Sequence, residues 1–173
     1  DRIKLTGANR LWESVIFAVR GILLSDNDSI KNAISGIQDV MVITDSGDGF
    51  YKDGSFIQHD NIPYNCGYGR SLIQELAPML YIFKDTEFEN KNTDIINTWV
   101  EKSYLPFIYN GRTMDMVRGR EISRYYEQSD FACSRILSAM LILTELSEFD
   151  ILRSVIKTHL TDSFFEYASL FRS

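Results

Sequence analysis

The sequence predicts an all-α fold built from antiparallel helical hairpins. Apolar residues recur at steps of three and four through most of the 173-residue chain. The connections between those stretches are short, as they are between antiparallel helices. No segment shows the strict alternation of a half-buried strand. Composition agrees with a globular domain that has a real core, with 45% hydrophobic and 24% charged residues.

From the N-terminus, NRLWESVIFAVRGILLS places Leu11, Val15, Ala18 and Ile22 on one face, with more apolar residues around the rest of the cylinder. It reads as a largely buried helix. DNDSIKNAISGIQDVM opens on a capping residue, Asp26 or Asp28, and Ile30, Ala33, Ile34 and Ile37 follow on one face. GRSLIQELAPMLYIFK brings Leu72, Ile73, Leu76, Leu80 and Phe83 together. Pro78 within it predicts a kink or a restart, because proline lacks the backbone donor and crowds the preceding turn. NTDIINTWVEKSYLPFIY is a further helix, ending before Pro106. DFACSRILSAMLILTEL and FDILRSVIKTHLTDSFFEYASLF complete six helical stretches. His159, in the apolar setting of the last one, reads as a packed or partly exposed helix residue rather than a ligand.

Charge and cysteine content narrow the function classes. A net charge of −6 is a poor match to non-specific nucleic-acid binding, which needs a basic surface. No stretch approaches the roughly 18 apolar residues of a membrane span. The opening DRIKLTGANR lacks the basic start and apolar middle of a signal peptide. Cys66 and Cys133 are too few for a disulfide framework and have no metal-ligand spacing, so the redox compartment stays open.

Residues 44–68 and 109–119 break the helical pattern, and the chemically suggestive side chains fall in or beside them. The first region contains DGFYKDGSFIQHDNIPYNCGYGR. Its His59 can accept a proton, having an ordinary pKa of about 6.5. Tyr68 can donate one to a leaving oxygen in a shielded site. Gly67 and Gly69 flank Tyr68 and let backbone approach a ligand closely. The plainer alternative makes His59 a loop histidine and has Tyr64 and Tyr68 cover the core.

The second region, YNGRTMDMVRGREISR, carries Arg112, Arg118, Arg120 and Arg124 within thirteen residues. Arg120 and Arg124 share a face if that segment is helical. Guanidinium groups suit bidentate recognition of carboxylates or sulfates. A solvated face with surface ion pairs is the equal alternative. Asp45, Asp48 and Asp53 do not fit the spacing of an EF-hand loop. Whether two of them form a hydrolase pair depends on a separation in space that sequence does not give.

Together these segments resemble polysaccharide lyase family eight, which includes bacterial hyaluronate lyases, chondroitin AC lyases and xanthan lyases. DGSFIQHDNIPYNCGYG resembles the stretch that bears the family's histidine and tyrosine. TGANR resembles the segment with its asparagine, and RGREISR its arginine segment, all in the family's order and spacing. The resemblance runs through most of the chain and is least informative after residue 130. Cys66 departs from the small residue expected just before the tyrosine.

The resemblance implies β-elimination on a uronic-acid polysaccharide, with hyaluronan the first candidate and chondroitin and xanthan close behind. No metal or organic cofactor is expected. Asn9 would neutralise the uronate carboxylate, His59 would accept the C5 proton, and Tyr68 would protonate the glycosidic oxygen. In a competing version Tyr68 takes both proton roles and His59 assists the neutralisation. Arg120 and Arg124 would hold substrate or keep the Tyr68 proton mobile. Arg118, Arg112, Gln58 and Asn65 are the expected substrate contacts.

The resemblance further implies that residues 1–173 are a fragment of the catalytic, incomplete α/α toroid of a larger secreted or cell-surface lyase. The missing hairpins and β domains of that parent would then be its partners, and an apolar flank would be exposed where they dock. Two other functions remain open. A non-catalytic carbohydrate-binding module would have no use for a matched acid and base. A glycoside hydrolase using Asp48 or Asp53 would survive the loss of His59.

Overall fold

The computed structural model describes residues 5–146 and residue 156. Helices α1 (Gly7–Leu24) and α2 (Asn27–Val40) form the first hairpin, joined through Ser25 and Asp26. Ser25 takes a left-handed backbone, φ 53°, which ends α1. The Asp26 carboxylate accepts from the backbone N–H groups of Asp28 and Ser29 and so starts α2. Small residues let the two helices approach closely. A Cβ on Gly21 would lie 2.6 Å from Cγ1 of Ile30, and one on Gly36 would lie 1.9 Å from Oγ of Ser14.

The expectation of a largely buried first helix is only half met. Leu11 and Ala18 are buried, yet Ile16 is 69% exposed and Leu23 77%, with Trp12, Val19 and Ile22 also open. Among the described residues α2 and α3 pack against α1 and leave this outer face uncovered.

Helix α3 (Tyr68–Phe83) continues through Pro78, so of the kink or restart expected there the restart does not occur, and all five predicted core residues in it are buried. Helix α4 (Asp94–Trp99) widens into a π turn, Val100–Tyr104, and closes as a 3₁₀ turn, Leu105–Phe107, which contains Pro106. Helix α5 (Ser129–Leu143) packs on α3. The last expected helix, with His159, lies outside the described residues apart from Ile156. No described helix is long and apolar enough to cross a membrane.

The expectation of no strands is corrected. Strands β1 (Ile43–Thr44), β2 (Gly49–Tyr51), β3 (Phe56–Gln58) and β4 (Ile62–Pro63) form one small sheet in that order. β1 is parallel to β2 and the other neighbours are antiparallel. A second hairpin pairs β5 (Ile108–Tyr109) with β6 (Arg112–Thr113). Strands of two or three residues are too short to show a period of two, so the pattern could not reveal them.

Aromatic packing fastens the first sheet to the helices. Phe50 in β2 stacks on Trp99 with centroids 4.1 Å apart, and meets Phe56 edge-on at 4.7 Å. Tyr104 closes the group at 6.0 Å from Phe50, and its hydroxyl donates to the Gly69 carbonyl in the first turn of α3 at 2.7 Å.

The capping carboxyl of Asp26 is held below its ordinary value of 3.8, first by its bonds from the Ser29 hydroxyl and backbone. A depressed carboxyl contributes stability that is present above its unfolded pKa and is lost as pH falls through the folded one. Asp26→Ala should therefore lower the urea midpoint at neutral pH, with the difference from wild type shrinking at acid pH, below the ordinary carboxyl value of 3.8. An equal loss at both pH values would show that the cap does not depend on the carboxylate charge.

Candidate active site

The sheet and two helix starts converge on one cluster of rings. His59 follows β3 with φ 55°, and Asp60 with φ 70°, so two successive non-glycine residues are left-handed. Such backbone persists where its surroundings over-determine it. Tyr68 is the first residue of α3 and is partly buried. Its ring stands perpendicular to that of His59, with centroids 4.9 Å apart, and 5.0 Å from that of Tyr64. Trp12 of α1 lies 5.8 Å from Tyr68. Asn9 precedes Trp12 by three residues on the same helix and is partly buried.

Arg120 joins the group from the second irregular region. Its Nη2 is 3.1 Å from Nε2 of His59, and its backbone N and Nε donate to the Tyr64 hydroxyl at 2.9 and 3.0 Å. A guanidinium only donates, so Nε2 is the acceptor here and the neutral imidazole carries its proton on Nδ1. The Tyr64 hydrogen bond, followed by the charge interactions with Tyr64 and Tyr68, raises the guanidinium above its ordinary value. Gly119 makes room for this contact. It has φ 54°, and a Cβ there would fall 2.1 Å from the Tyr64 ring.

Arg120 and Arg124 would share a face if their segment were an α-helix. The segment is instead a 3₁₀ turn, Gly119–Ser123, with Arg124 just beyond it in extended backbone. In a 3₁₀ turn residues three apart eclipse, so a spacing of four rotates the two side chains apart. Arg124 remains half exposed and donates to Glu127 at 2.7 Å, the bond that does most to raise its guanidinium.

The structure places the four expected substrate contacts in two ways. Gln58, Asn65 and Arg118 are buried and have internal partners. Gln58 accepts from Ala8 N at 3.1 Å and donates to Asp48. Asn65 accepts from Phe56 N and donates to the carbonyls of Gly54 and Ser103. Arg118 donates to Asp115 at 2.7 Å and to the carbonyls of Glu121 and Glu127. Arg112 is exposed and lines a separate open cavity of about 630 Å³ with Tyr109, Asn110, Met114 and Asp130.

A buried ion pair braces the cluster from below. Arg70, two residues into α3 from Tyr68, reaches Glu121 at 3.3 Å, which ties the start of α3 to the arginine turn. Burial pushes the Glu121 carboxyl up, opposed first by the Arg70 charge.

Two of the acidic candidates, Asp48 and Asp53, hold internal hydrogen bonds. Both Asp48 oxygens accept hydrogen bonds, from Thr6 and Gln58 on one and Asp60 on the other. Asp53 holds the β2–β3 turn through Ser55, whose side chain and backbone lower its carboxyl pKa. Among the described residues no three His, Cys, Asp or Glu side chains come together as a metal site.

Two residues of this arrangement escaped the sequence reading. Tyr64 is a core residue as the plainer alternative had it, but its hydroxyl aims Arg120. The one signal for it was a second tyrosine four positions before Tyr68. Asp48 was weighed only as a nucleophile or ligand, and nothing local in the sequence marks its partners.

Residues 1–158 match the model of the polysaccharide lyase family 8 N-terminal alpha-helical domain, and the chain belongs to that family. It is 35% identical over 149 residues to xanthan lyase from Bacillus sp. strain GL1, covering 84% of this chain and 16% of that protein. Hyaluronate lyase from Thermasporomyces composti is 37% identical over 144 residues, covering 82% of this chain and 18% of that protein. Among solved structures, chondroitin AC lyase of Streptomyces coelicolor A3, in complex with chondroitin sulphate, is 30% identical with a TM-score of 0.81, covering 87% of this chain and 22% of that one. The expected architecture, all-α hairpins belonging to an incomplete α/α toroid, is the one found. The chain spans less than a fifth of the length of the two curated relatives, 16% and 18%.

Both cysteine thiols are buried, and burial pushes each up to about 12. Cys66 also anchors its turn through its N–H, which donates to the Val117 carbonyl at 2.9 Å. A maleimide reagent at neutral pH should label neither thiol in the folded chain and both in urea. Rapid labelling of Cys66 under native conditions would mean that the turn before Tyr68 opens.

Proposed function

We propose that this chain forms part of the catalytic domain of a lyase that cleaves a uronic-acid polysaccharide, hyaluronan foremost, by β-elimination. The observation that carries the reading is the perpendicular packing of His59 and Tyr68 at 4.9 Å with the Arg120 guanidinium bonded to the imidazole. A base, an acid and a fixed positive charge are what elimination next to a carboxylate requires. Asn9 donates amide hydrogen bonds to the uronate carboxylate, which strengthen as charge develops there. A base then takes the C5 proton, the C5–H electrons form the C4=C5 double bond, and the bond from C4 to the glycosidic oxygen breaks. The departing oxygen receives a proton, so no water is consumed and the new non-reducing end is unsaturated.

The Arg120 contact favours Tyr68 in both proton roles. The Nε2 lone pair of His59 already accepts from the guanidinium, whereas its Nδ1–H is a donor suited to the substrate carboxylate beside Asn9. In this version Tyr68 starts as the phenolate, takes the C5 proton on its oxygen and passes that proton to the glycosidic oxygen, which restores the phenolate, with Arg120 stabilising its negative charge. Arg124 and Arg112 hold the anionic polymer outside this centre. Gln58, Asn65 and Arg118 brace it. The polymer is too large to cross a membrane, so the enzyme acts outside the cell, secreted or at its surface. The small share of each relative that the chain covers supports its being one part, residues 1–173, of the toroid of a larger multidomain lyase.

The test is ultraviolet absorbance of the unsaturated uronate formed from hyaluronan, using this chain and the longest natural polypeptide that contains it. Wild type should form the product, and His59→Ala and Tyr68→Phe should each lose at least about 100-fold in kcat. Saturated sugar ends that survive in His59→Ala would replace the lyase with a hydrolase. Polymer binding without either product, in the longer polypeptide, would leave a carbohydrate-binding module.

Tyr64→Phe gives a second prediction, because it keeps the ring that packs over Gly119 and removes only the oxygen that aims Arg120. It should lower kcat about tenfold with little change in KM or in the urea midpoint. An unaltered kcat would show that Arg120 needs no such guide.

A further inference from the structure

We propose that Asp48 is a positioning residue that locks the Asn9 and His59 segments to each other through a single carboxylate. The inference rests on the lyase reading for its catalytic consequence. Its geometry stands apart from that reading.

One oxygen of Asp48 accepts from the Thr6 hydroxyl at 2.7 Å and from the Gln58 amide at 2.5 Å, and the other accepts from Asp60 N at 3.3 Å. The far end of the Gln58 amide accepts from Ala8 N at 3.1 Å. Thr6 and Ala8 lie just before Asn9, while Gln58 and Asp60 lie on either side of His59. Asp48 thus joins chain segments more than forty residues apart in sequence, as its 42-residue separation from Thr6 records. The amide of Gln58 can point only one way here, since Ala8 N–H needs an acceptor and the carboxylate needs a donor.

Two backbone features agree with a clamp rather than a chance contact. Gly7 is left-handed at φ 52°, and a Cβ there would lie 2.4 Å from Oε1 of Gln58 and 3.2 Å from Cβ of Asp48. A side chain at that position would push the start of α1 off the clamp. On the other side, His59 and Asp60 hold successive left-handed conformations that an unrestrained loop would relax. The Asp48–Asp60 bond restrains that turn directly. Thr6, Gln58 and Asp60 all donate as neutral groups, and among the described residues no cation pairs with Asp48 within 4.0 Å. An amide in its place would turn a donor toward one of these donors, so Asp48→Asn breaks the clamp with almost no change in shape.

The experiment measures amide hydrogen exchange together with hyaluronan elimination in Asp48→Asn. Exchange at Ala8 and Asp60 should accelerate about tenfold while amides in the middle of α3, such as Leu76, keep their rates. In the same variant kcat should fall about 10- to 100-fold with KM within about threefold, because the reacting groups lose alignment while substrate contacts persist. Unchanged exchange at Ala8 and Asp60 overturns the clamp. Faster exchange with wild-type kcat overturns its role in positioning. Should the wild-type enzyme form no unsaturated product, the lyase reading fails and the exchange rates alone decide the clamp. Thr6→Val, which removes one donor and leaves the carboxylate, goes through the same measurements if Asp48→Asn does not fold, with the same two overturning results.

Discussion

The stacking of Phe50 on Trp99 is the contact on which the candidate site depends. A sheet whose strands are two or three residues long cannot hold itself together in water. Phe50 lends it a place in the core, between Trp99, Phe56 and Tyr104, all fully buried. Aromatic pairs of this kind contribute about 0.5–1.5 kcal/mol each beyond the apolar area that they bury. The same group reaches the other half of the site, since Tyr104 holds the carbonyl of Gly69 beside Tyr68. The histidine loop and the first turn of α3 are therefore referenced to one hydrophobic anchor.

Above that anchor the site is set by polar ties between element ends. Gln58, Asn65, Arg70, Arg118 and Glu121 are all buried, and each is bonded to a segment that carries a candidate catalytic residue or to a neighbour of one. Burying so many polar groups has a cost. The Nε atoms of Arg70 and Arg118 have no partner among the described residues. What this shell secures is geometry, because the proposed proton transfers tolerate little misplacement and a loop without such ties would sample many arrangements. The left-handed backbone at His59 belongs to the same design, with local strain held by surrounding bonds.

The helices were legible because long segments with a period near 3.6 leave an unmistakable apolar stripe, and α2 and α3 follow theirs closely. The outer face of α1 was misread because an apolar residue does not state what covers it. The six strands among the described residues were hidden by their brevity. At the site, residue chemistry alone offered His59, Tyr68 and the arginines beside an equally ordinary structural explanation, and the family resemblance chose among them. Gln58, Asn65 and Arg118 show the remaining ambiguity, for a polar side chain reads the same whether it faces substrate or the interior. Tyr64 and Asp48 act across separations of 56 and 42 residues, and no local pattern encodes a partner that far away.

Within the proposed elimination, the choice between His59 and Tyr68 as the base is, in physical terms, a choice about Arg120. While its guanidinium donates to Nε2, the imidazole has no free lone pair, and its remaining polar function is the Nδ1 proton. That proton suits a carboxylate and cannot help to remove another proton. Tyr64 holds Arg120 in this arrangement by two bonds, one of them to the backbone, so the contact does not rest on a freely turning side chain. An anionic sugar ring could draw the guanidinium away only by breaking the bond from Nε to Tyr64 as well. The backbone bond would keep the residue in place even then. For the proposed elimination, this contact favours Tyr68 as the group that moves the proton and His59 as the one that faces the carboxylate, with Arg120 supplying charge to both.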